Sequence, residues 1–391
     1  MLGVADQFDC IPRVLGAQIR TTAWTGAAAK RFGSEWKGSH EPSLRKAAAH
    51  LRLSAERLLA QAKQQRLASS SELLLLAGQR PPHNLAQDPL QNLYQSNRAS
   101  IATELQVLRA QRDDWLQMPV VGGLLSGIRY LPFDPLESID KKIAWLRSLQ
   151  AKPRNFLFVD TRQTGHAAEV FGRLDLARHV AVVVPGVGSD LGDFAQRSTL
   201  PAAVLQGAAS DTASDTAVVQ WLGYNPPPNL VQAALNGGES AQIAAVDGAK
   251  QLRGFVDYLR QMGVADVTVI GHSLGAYLAS VAAGTGPGLN ADRLVFAGSP
   301  GSLLPNVEEL HLYGGPGSGS TVFFVEQGRD PISAAVFGRS LLGTNVADPD
   351  FGATQLLDGQ AGFGNLLRNH SNYFRDPVTV QSVRAVIRGG P

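Results

Sequence analysis

The stretch from Asp266 to Gly284 constrains this chain more than any other. It opens on the β-branched run Val267-Thr-Val-Ile270, which reads as a buried strand. It closes on the Ala-rich run Leu274 to Ala283, which reads as a helix. Between them lies Gly271-His272-Ser273-Leu274-Gly275, a G-x-S-x-G string. A strand that turns directly into a helix needs small residues on either side of the turn. A Cβ at either glycine is expected to strike a neighbouring strand or helix. The string alone says little in a chain with 41 glycines, so its context carries the reading. Strand before and helix after make it a nucleophile elbow, with Ser273 on a strained turn. The plainer alternative is a Gly-rich turn with an unreactive serine.

Length and composition set the bounds. A chain of 391 residues has room for two or three domains. Hydrophobic content of 44% and charged content of 17% give ample core. The net charge is +2 without a long basic run, so no nucleic-acid footprint is read. The longest strongly apolar stretch, residues 73–77, is far too short for a membrane span. The first residues lack a basic region followed by an apolar one, so no signal peptide is read. Cys10 is the only cysteine, which excludes an internal disulfide and argues against a cysteine-based zinc site. The expectation is a cytoplasmic protein, or one exported by a route independent of a signal peptide, with no cofactor and no metal.

Residues 1–150 read as a helical region. Residues 27–67 carry Leu44, Ala48, Leu51, Leu58 and Ala62 at helical spacing, and a second helix is expected over 88–115. Residues 79–84 break the pattern, and 120–133 have no assignment. Asp134-Pro-Leu-Glu137 reads as a cap opening a helix to Gln150. Trp24-Thr-Gly26, followed by an Ala-rich helix with Phe32 and Trp36, resembles the W-x-G turn of helical-hairpin proteins linked to type VII secretion. That resemblance implies a protein partner or self-association through these helices. Two ordinary core tryptophans are the equal alternative. Tyr130-Leu-Pro-Phe-Asp134 matches the export string Y-x-x-x-D of that system, but Asp134 already has a capping role.

From residue 151 onward a second domain is expected, to residue 391. Strands alternate with helices there, the sign of an α/β fold with a mostly parallel sheet. Residues 155–160 and 167–171 read as an antiparallel pair. Strands are expected at 180–184, 216–221, 267–270, 293–297 and 321–325, with a short one at 353–357. Helices are expected at 241–262 and 378–387. Residues 225–239 read either as a cap over the site or as a plain connection.

A serine needs a general base held by a carboxylate. Only His311 and His370 follow Ser273, apart from its neighbours. The usual order after an elbow is serine, acid, histidine. His311 precedes the strand at 321–325, which leaves His370 as the base. Asp330 follows that strand, at the strand end where open sheets place their sites. Asp292 lies at the wrong end of its strand. Asp348 and Asp350 flank Pro349 and read as turn residues, though either could be the acid if the strand is misplaced. The oxyanion hole needs two backbone N–H groups. One is Leu274; the other is Val187 or Gly188, in the loop Pro185-Gly-Val-Gly188. The spacing of Gly186, Gly188 and Gly192 does not fit a dinucleotide loop. Asp350-Phe-Gly352 lacks the rest of a kinase motif set. No P-loop and no H-E-x-x-H occurs.

Several strings form a set: Val182-Val-Val-Pro-Gly-Val-Gly188, Trp221-Leu-Gly-Tyr224, Gly271-His-Ser-Leu-Gly275, Phe296-Ala-Gly-Ser-Pro-Gly301, Asp330-Pro-Ile332, Asp350-Phe-Gly352 and His370-Ser-Asn-Tyr-Phe374. From residue 179 onward the chain resembles an actinobacterial α/β-hydrolase family long classed as a domain of unknown function. The resemblance implies an α/β-hydrolase fold with Ser273 as nucleophile, Asp330 as acid and His370 as base. It implies no physiological substrate; related lipases and cutinase-like enzymes suggest an ester or lipid. The family often has Tyr where Leu274 stands, which leaves the backbone N–H in place. Three functions follow for test: a serine hydrolase of carboxylic esters, an acyltransferase with the same triad, and a secretion-associated binding protein using its N-terminal helices.

Overall fold

The computed structural model describes residues 26, 30, 33–42, 45, 87–117, 135–161, 165–194, 201–207, 215–327, 330, 332, 342–359, 370 and 373–390. The chain divides into two compact units, residues 1–80 with 116–130 and residues 81–115 with 131–391. The boundary expected near residue 150 therefore falls inside the second unit.

In the first unit the described residues are helical around Trp36–His40, a single π-helical turn with Trp36 buried. Glu41 and Arg45 pair on its exposed side at 2.8 Å. Trp24, Leu44, Ala48, Leu51, Leu58, Ala62, Cys10, the 79–84 break and Tyr130 to Asp134 lie outside the described residues.

Helix α1 (Gln87–Gln117), all but its last two residues in the second unit, is followed there by α2 (Pro135–Gln150). Each buries an apolar stripe at three- and four-residue spacing. Leu90, Tyr94, Ile101, Leu105 and Leu108 form one stripe, and Ile139, Ile143, Leu146 and Leu149 the other. Both stripes belong to the same core as the sheet. Asn97 of α1 donates to the carbonyls of Phe156 and Leu157 at 2.8 and 3.1 Å.

The sheet follows as β1 (Asn155–Asp160), β2 (His166–Phe171), β3 (His179–Val184), β4 (Thr216–Leu222), β5 (Asp266–His272) and β6 (Arg293–Ala297). A small hairpin, β7 (His311–Leu312) with β8 (Gly315–Pro316), uses the glycine-rich loop. Strands β9 (Val322–Val325) and β10 (Thr354–Gln355) complete the sheet. The eight strands lie in the order β1-β2-β4-β3-β5-β6-β9-β10. β1–β2 and β2–β4 are antiparallel; every other neighbouring pair is parallel. The parallel strands thus end at a common rim. β3 sits deep in the sheet, and Val180 to Val184 are wholly buried. Burying a valine in this way stabilises the fold by about 1.5–3 kcal/mol, which is why the run contains no polar residue.

The helices of this part are α3 (Pro201–Gly207), α4 (Leu230–Gln261), α5 (Leu274–Gly284) and α6 (Pro377–Ile387). α4 begins eleven residues before the expected start at 241. Asn229 caps it, its side chain accepting from Gln232 N–H at 2.9 Å. The helix runs through Gly237 and Gly238, with Gly238 at φ 92°. The segment expected either to cap the site or to connect is therefore loop to Asn229 and helix beyond. α6 is capped by Asp376, which accepts from Thr379 N–H at 2.7 Å. Among the described residues, no helix is long and apolar enough to cross a membrane.

Candidate active site

Ser273 stands where β5 ends and α5 begins, with φ 55° and ψ −127°. Among the described residues it is the only non-glycine with positive φ. A backbone of this kind costs about 1–3 kcal/mol and persists only when its surroundings hold it. Ser273 N–H donates to Ala297 C=O at 3.0 Å, and Ser273 C=O accepts from Ala276 N–H at 2.9 Å. The flanking glycines are there for space. A Cβ on Gly271 would lie 2.4 Å from Ala276 Cα, and one on Gly275 would lie 2.2 Å from Val184 O.

The serine hydroxyl lies 2.8 Å from His370 Nε2. On the other side of the ring, Nδ1 lies 2.9 and 3.1 Å from the two oxygens of Asp330. A carboxylate can only accept, so Nδ1 carries the proton and Nε2 faces the hydroxyl as an acceptor. All three groups are nearly sealed from water: Ser273 is 4% exposed, His370 7% and Asp330 0%. Burial by itself would raise the Asp330 carboxyl. Hydrogen bonds from His370, Tyr373 and Ile332 N–H, with the electrostatic pull of the adjacent ring, outweigh it and hold the group below the ordinary carboxylate value.

Two aromatic residues and a second histidine hold this array, and sequence reasoning gave none of them a role there. Tyr373 donates to Asp330 Oδ2 at 2.6 Å and accepts from Gln327 N–H at 3.1 Å. His272 lies 2.9 Å from the His370 carbonyl through Nε2, and its ring stacks on that of His370 with centroids 5.2 Å apart. Burial, then the neighbouring His370, push its pKa down to about 4, so it is a neutral donor. Tyr224 donates to Pro185 C=O at 2.7 Å and so pins the loop beside the serine. Tyr224 and Tyr373 stood in the conspicuous strings, but which group each hydroxyl meets depends on tertiary contact.

The loop after β3 approaches the serine closely. A Cβ on Gly186 would lie 2.6 Å from Ser273 Cβ and 3.0 Å from its Oγ. Of the two donors offered there by the sequence, Gly188 is unsuited. Its N–H is taken by Pro227 C=O at 2.8 Å, with Gly188 at φ 83°. Val187 remains, beside Leu274, whose N–H opens α5 and so has no acceptor within the helix. The other carboxylates are elsewhere. Asp292 is bound by Arg260 at 2.7 Å and by Val267 N–H at 2.6 Å, at the opposite rim. Asp348 is exposed and accepts from Asp350 N–H at 3.0 Å, as a turn residue does. His311 is exposed on the small hairpin.

A cavity of about 360 Å³ opens beside Ser273 and His370, walled by the 185–190 loop and by β3 and β4. Among the described residues, no cluster of three or more His, Cys, Asp or Glu side chains is placed to hold a metal ion.

The mostly parallel sheet, with helices after its strands, is that of an α/β-hydrolase fold. Residues 160–335 match a family model described as alpha/beta hydrolase. Two uncharacterized proteins of Mycobacterium tuberculosis, from strains CDC 1551 / Oshkosh and ATCC 25618 / H37Rv, are each 33% identical over 174 residues, 43% of this chain. The chain spans 25% of the length of these curated relatives. The fold is similar to that of esterase PE8, at 16% identity and TM-score 0.36, over 57% of this chain and 98% of that one. A carboxylesterase from Mesorhizobium loti is similar at 13% identity and TM-score 0.32, over 56% and 96% of the two chains.

Proposed function

We propose that the protein is a serine hydrolase of carboxylic esters. The observation that carries this reading is the unbroken chain of hydroxyl, imidazole and carboxylate, with links of 2.8 and 2.9 Å, on the one strained turn among the described residues. Ser273 Oγ attacks the acyl carbon while His370 Nε2 takes its proton. Asp330 keeps the ring in the tautomer that can accept and stabilises the imidazolium that forms. The negative charge that develops on the acyl oxygen is met by the N–H groups of Leu274 and Val187. One such donor is worth roughly a hundred- to a thousand-fold in rate. The imidazolium returns the proton to the departing alcohol, leaving an acyl-serine. Water, deprotonated by His370, then releases the acid and restores the serine.

Turnover of p-nitrophenyl butyrate tests the reading. Wild type hydrolyses it, and Ser273→Ala is slower by at least about a thousand-fold. Equal rates would overturn the proposal.

A further inference from the structure

The wall of the cavity carries a polar group that the chemistry above does not use. Gln220 of β4 lines it and is only 2% exposed. Its Oε1 accepts from Ala202 N–H at 3.3 Å. A backbone N–H can only donate, so this bond fixes which end of the amide is oxygen. That leaves the NH2 end as the group Gln220 can offer to the cavity it lines. An NH2 at a cavity wall is met by water or by an oxygen of a bound group.

The mouth of the same cavity has the opposite need. Asp190 and Asp193 line it, the first half-buried and the second exposed. Asp190 accepts from Gly192 N–H at 2.7 Å and from Lys141 at 3.3 Å, and Asp193 accepts from Asp190 N–H at 3.1 Å. Carboxylate oxygens each take more than one donor, so both keep capacity for a ligand O–H. A hydrocarbon chain satisfies neither end. An ammonium group satisfies the carboxylates and leaves the Gln220 amide unmet. A hydroxyl both donates and accepts, and several hydroxyls satisfy both ends. The volume of about 360 Å³ is at the small end for ligand sites, which fits a short group.

We propose that this cavity is a subsite for a short, hydroxyl-bearing group of the ester, recognised by Gln220 Nε2 within and by Asp190 and Asp193 at the mouth. The proposal rests on the hydrolase reading and narrows its substrate class to hydroxyacyl or polyol esters in place of plain aliphatic ones.

Two matched pairs test it: p-nitrophenyl 3-hydroxybutyrate against p-nitrophenyl butyrate, and 2,3-dihydroxypropyl butyrate against propyl butyrate. The readouts are kcat/KM for wild type and Kd for Ser273→Ala by calorimetry. At least one pair is expected to favour the hydroxylated member by about tenfold or more in both readouts. Gln220→Glu keeps the oxygen that Ala202 needs and removes the donor; it is expected to bring the ratio near one, and Gln220→Leu likewise. Ratios near one in both pairs for wild type, or a preference that survives both variants, would overturn the subsite. Equal hydrolysis of both members sinks the subsite and leaves the hydrolase standing. Selective binding to Ser273→Ala without turnover by wild type supports the subsite and sinks the hydrolase.

Discussion

Two histidine–aspartate pairs stand at opposite rims of the sheet. At one rim His370 Nδ1 meets Asp330 at 2.9 Å; at the other, His179 Nδ1 meets Asp266 at 3.1 Å. The contacts are nearly alike, and their surroundings are not. The far nitrogen of His370 faces a serine hydroxyl at 2.8 Å on a strained turn. The far nitrogen of His179 faces Asp215, at 3.8 Å and largely exposed. Asp266 is also paired with Arg293, and His179 simply opens β3. Asp330 is instead sealed, with Tyr373 and Ile332 N–H as further donors. An imidazole beside a carboxylate is thus a common structural device. A third group at the free nitrogen, a backbone held under strain and a cavity set the first rim apart.

The sharpest break in this comparison is replacement of the two histidines. His370→Ala is expected to lower kcat for p-nitrophenyl butyrate by about a thousand-fold or more, and His179→Ala by less than about twofold. Comparable losses would show that the contrast between rims is misread. Asp330→Asn keeps the shape and lets Nδ1 lose its fixed proton; a fall in kcat of about a thousand-fold is expected, against none for Asp266→Asn, by steady-state kinetics.

His272 gives a stability test with a definite sign. Its folded pKa of about 4 lies below the ordinary 6.5. Between those values the unfolded chain binds more protons, so stability falls as pH is lowered from 6.5 to 4. The full loss is about 3 kcal/mol. Urea midpoints measured across that range should drop steeply in wild type and less in His272→Gln; parallel slopes would contradict the buried, neutral ring. The smallest effect expected is that of Tyr373→Phe. One of several donors to Asp330 is lost, so kcat should fall about tenfold or less with KM unchanged, as kinetics on the same ester would read.

The order of residues along the chain disclosed much of this. The β-branched run before Gly271 and the Ala-rich run after it announce the turn, because period and propensity are local properties. An α/β fold with a mostly parallel sheet was legible in the alternation of such runs, and the set of strings from Val182 to Phe374 carried the likeness to the α/β-hydrolases. The G-x-S-x-G string singled out Ser273, a place at a strand's carboxyl end Asp330, and chain order His370; hydrogen bonds of 2.8 and 2.9 Å link the three. Contacts that depend on tertiary approach were not legible. Nothing local distinguishes the N–H of Gly188, engaged by Pro227, from that of Val187. The hydroxyls of Tyr224 and Tyr373 find partners 39 and 43 residues away, which spacing cannot foretell. The early start of α4 was hidden because residues 225–239, with three prolines near their start, read as a cap or a connection.

The central claim is that one buried hydroxyl is made nucleophilic by its imidazole neighbour. A fluorophosphonate probe followed by peptide mass spectrometry reads this directly. The account predicts a single adduct, on Ser273, formed rapidly in wild type and at least about a hundred-fold more slowly in His370→Ala. No adduct on Ser273, or labelling at the same rate without His370, would contradict it.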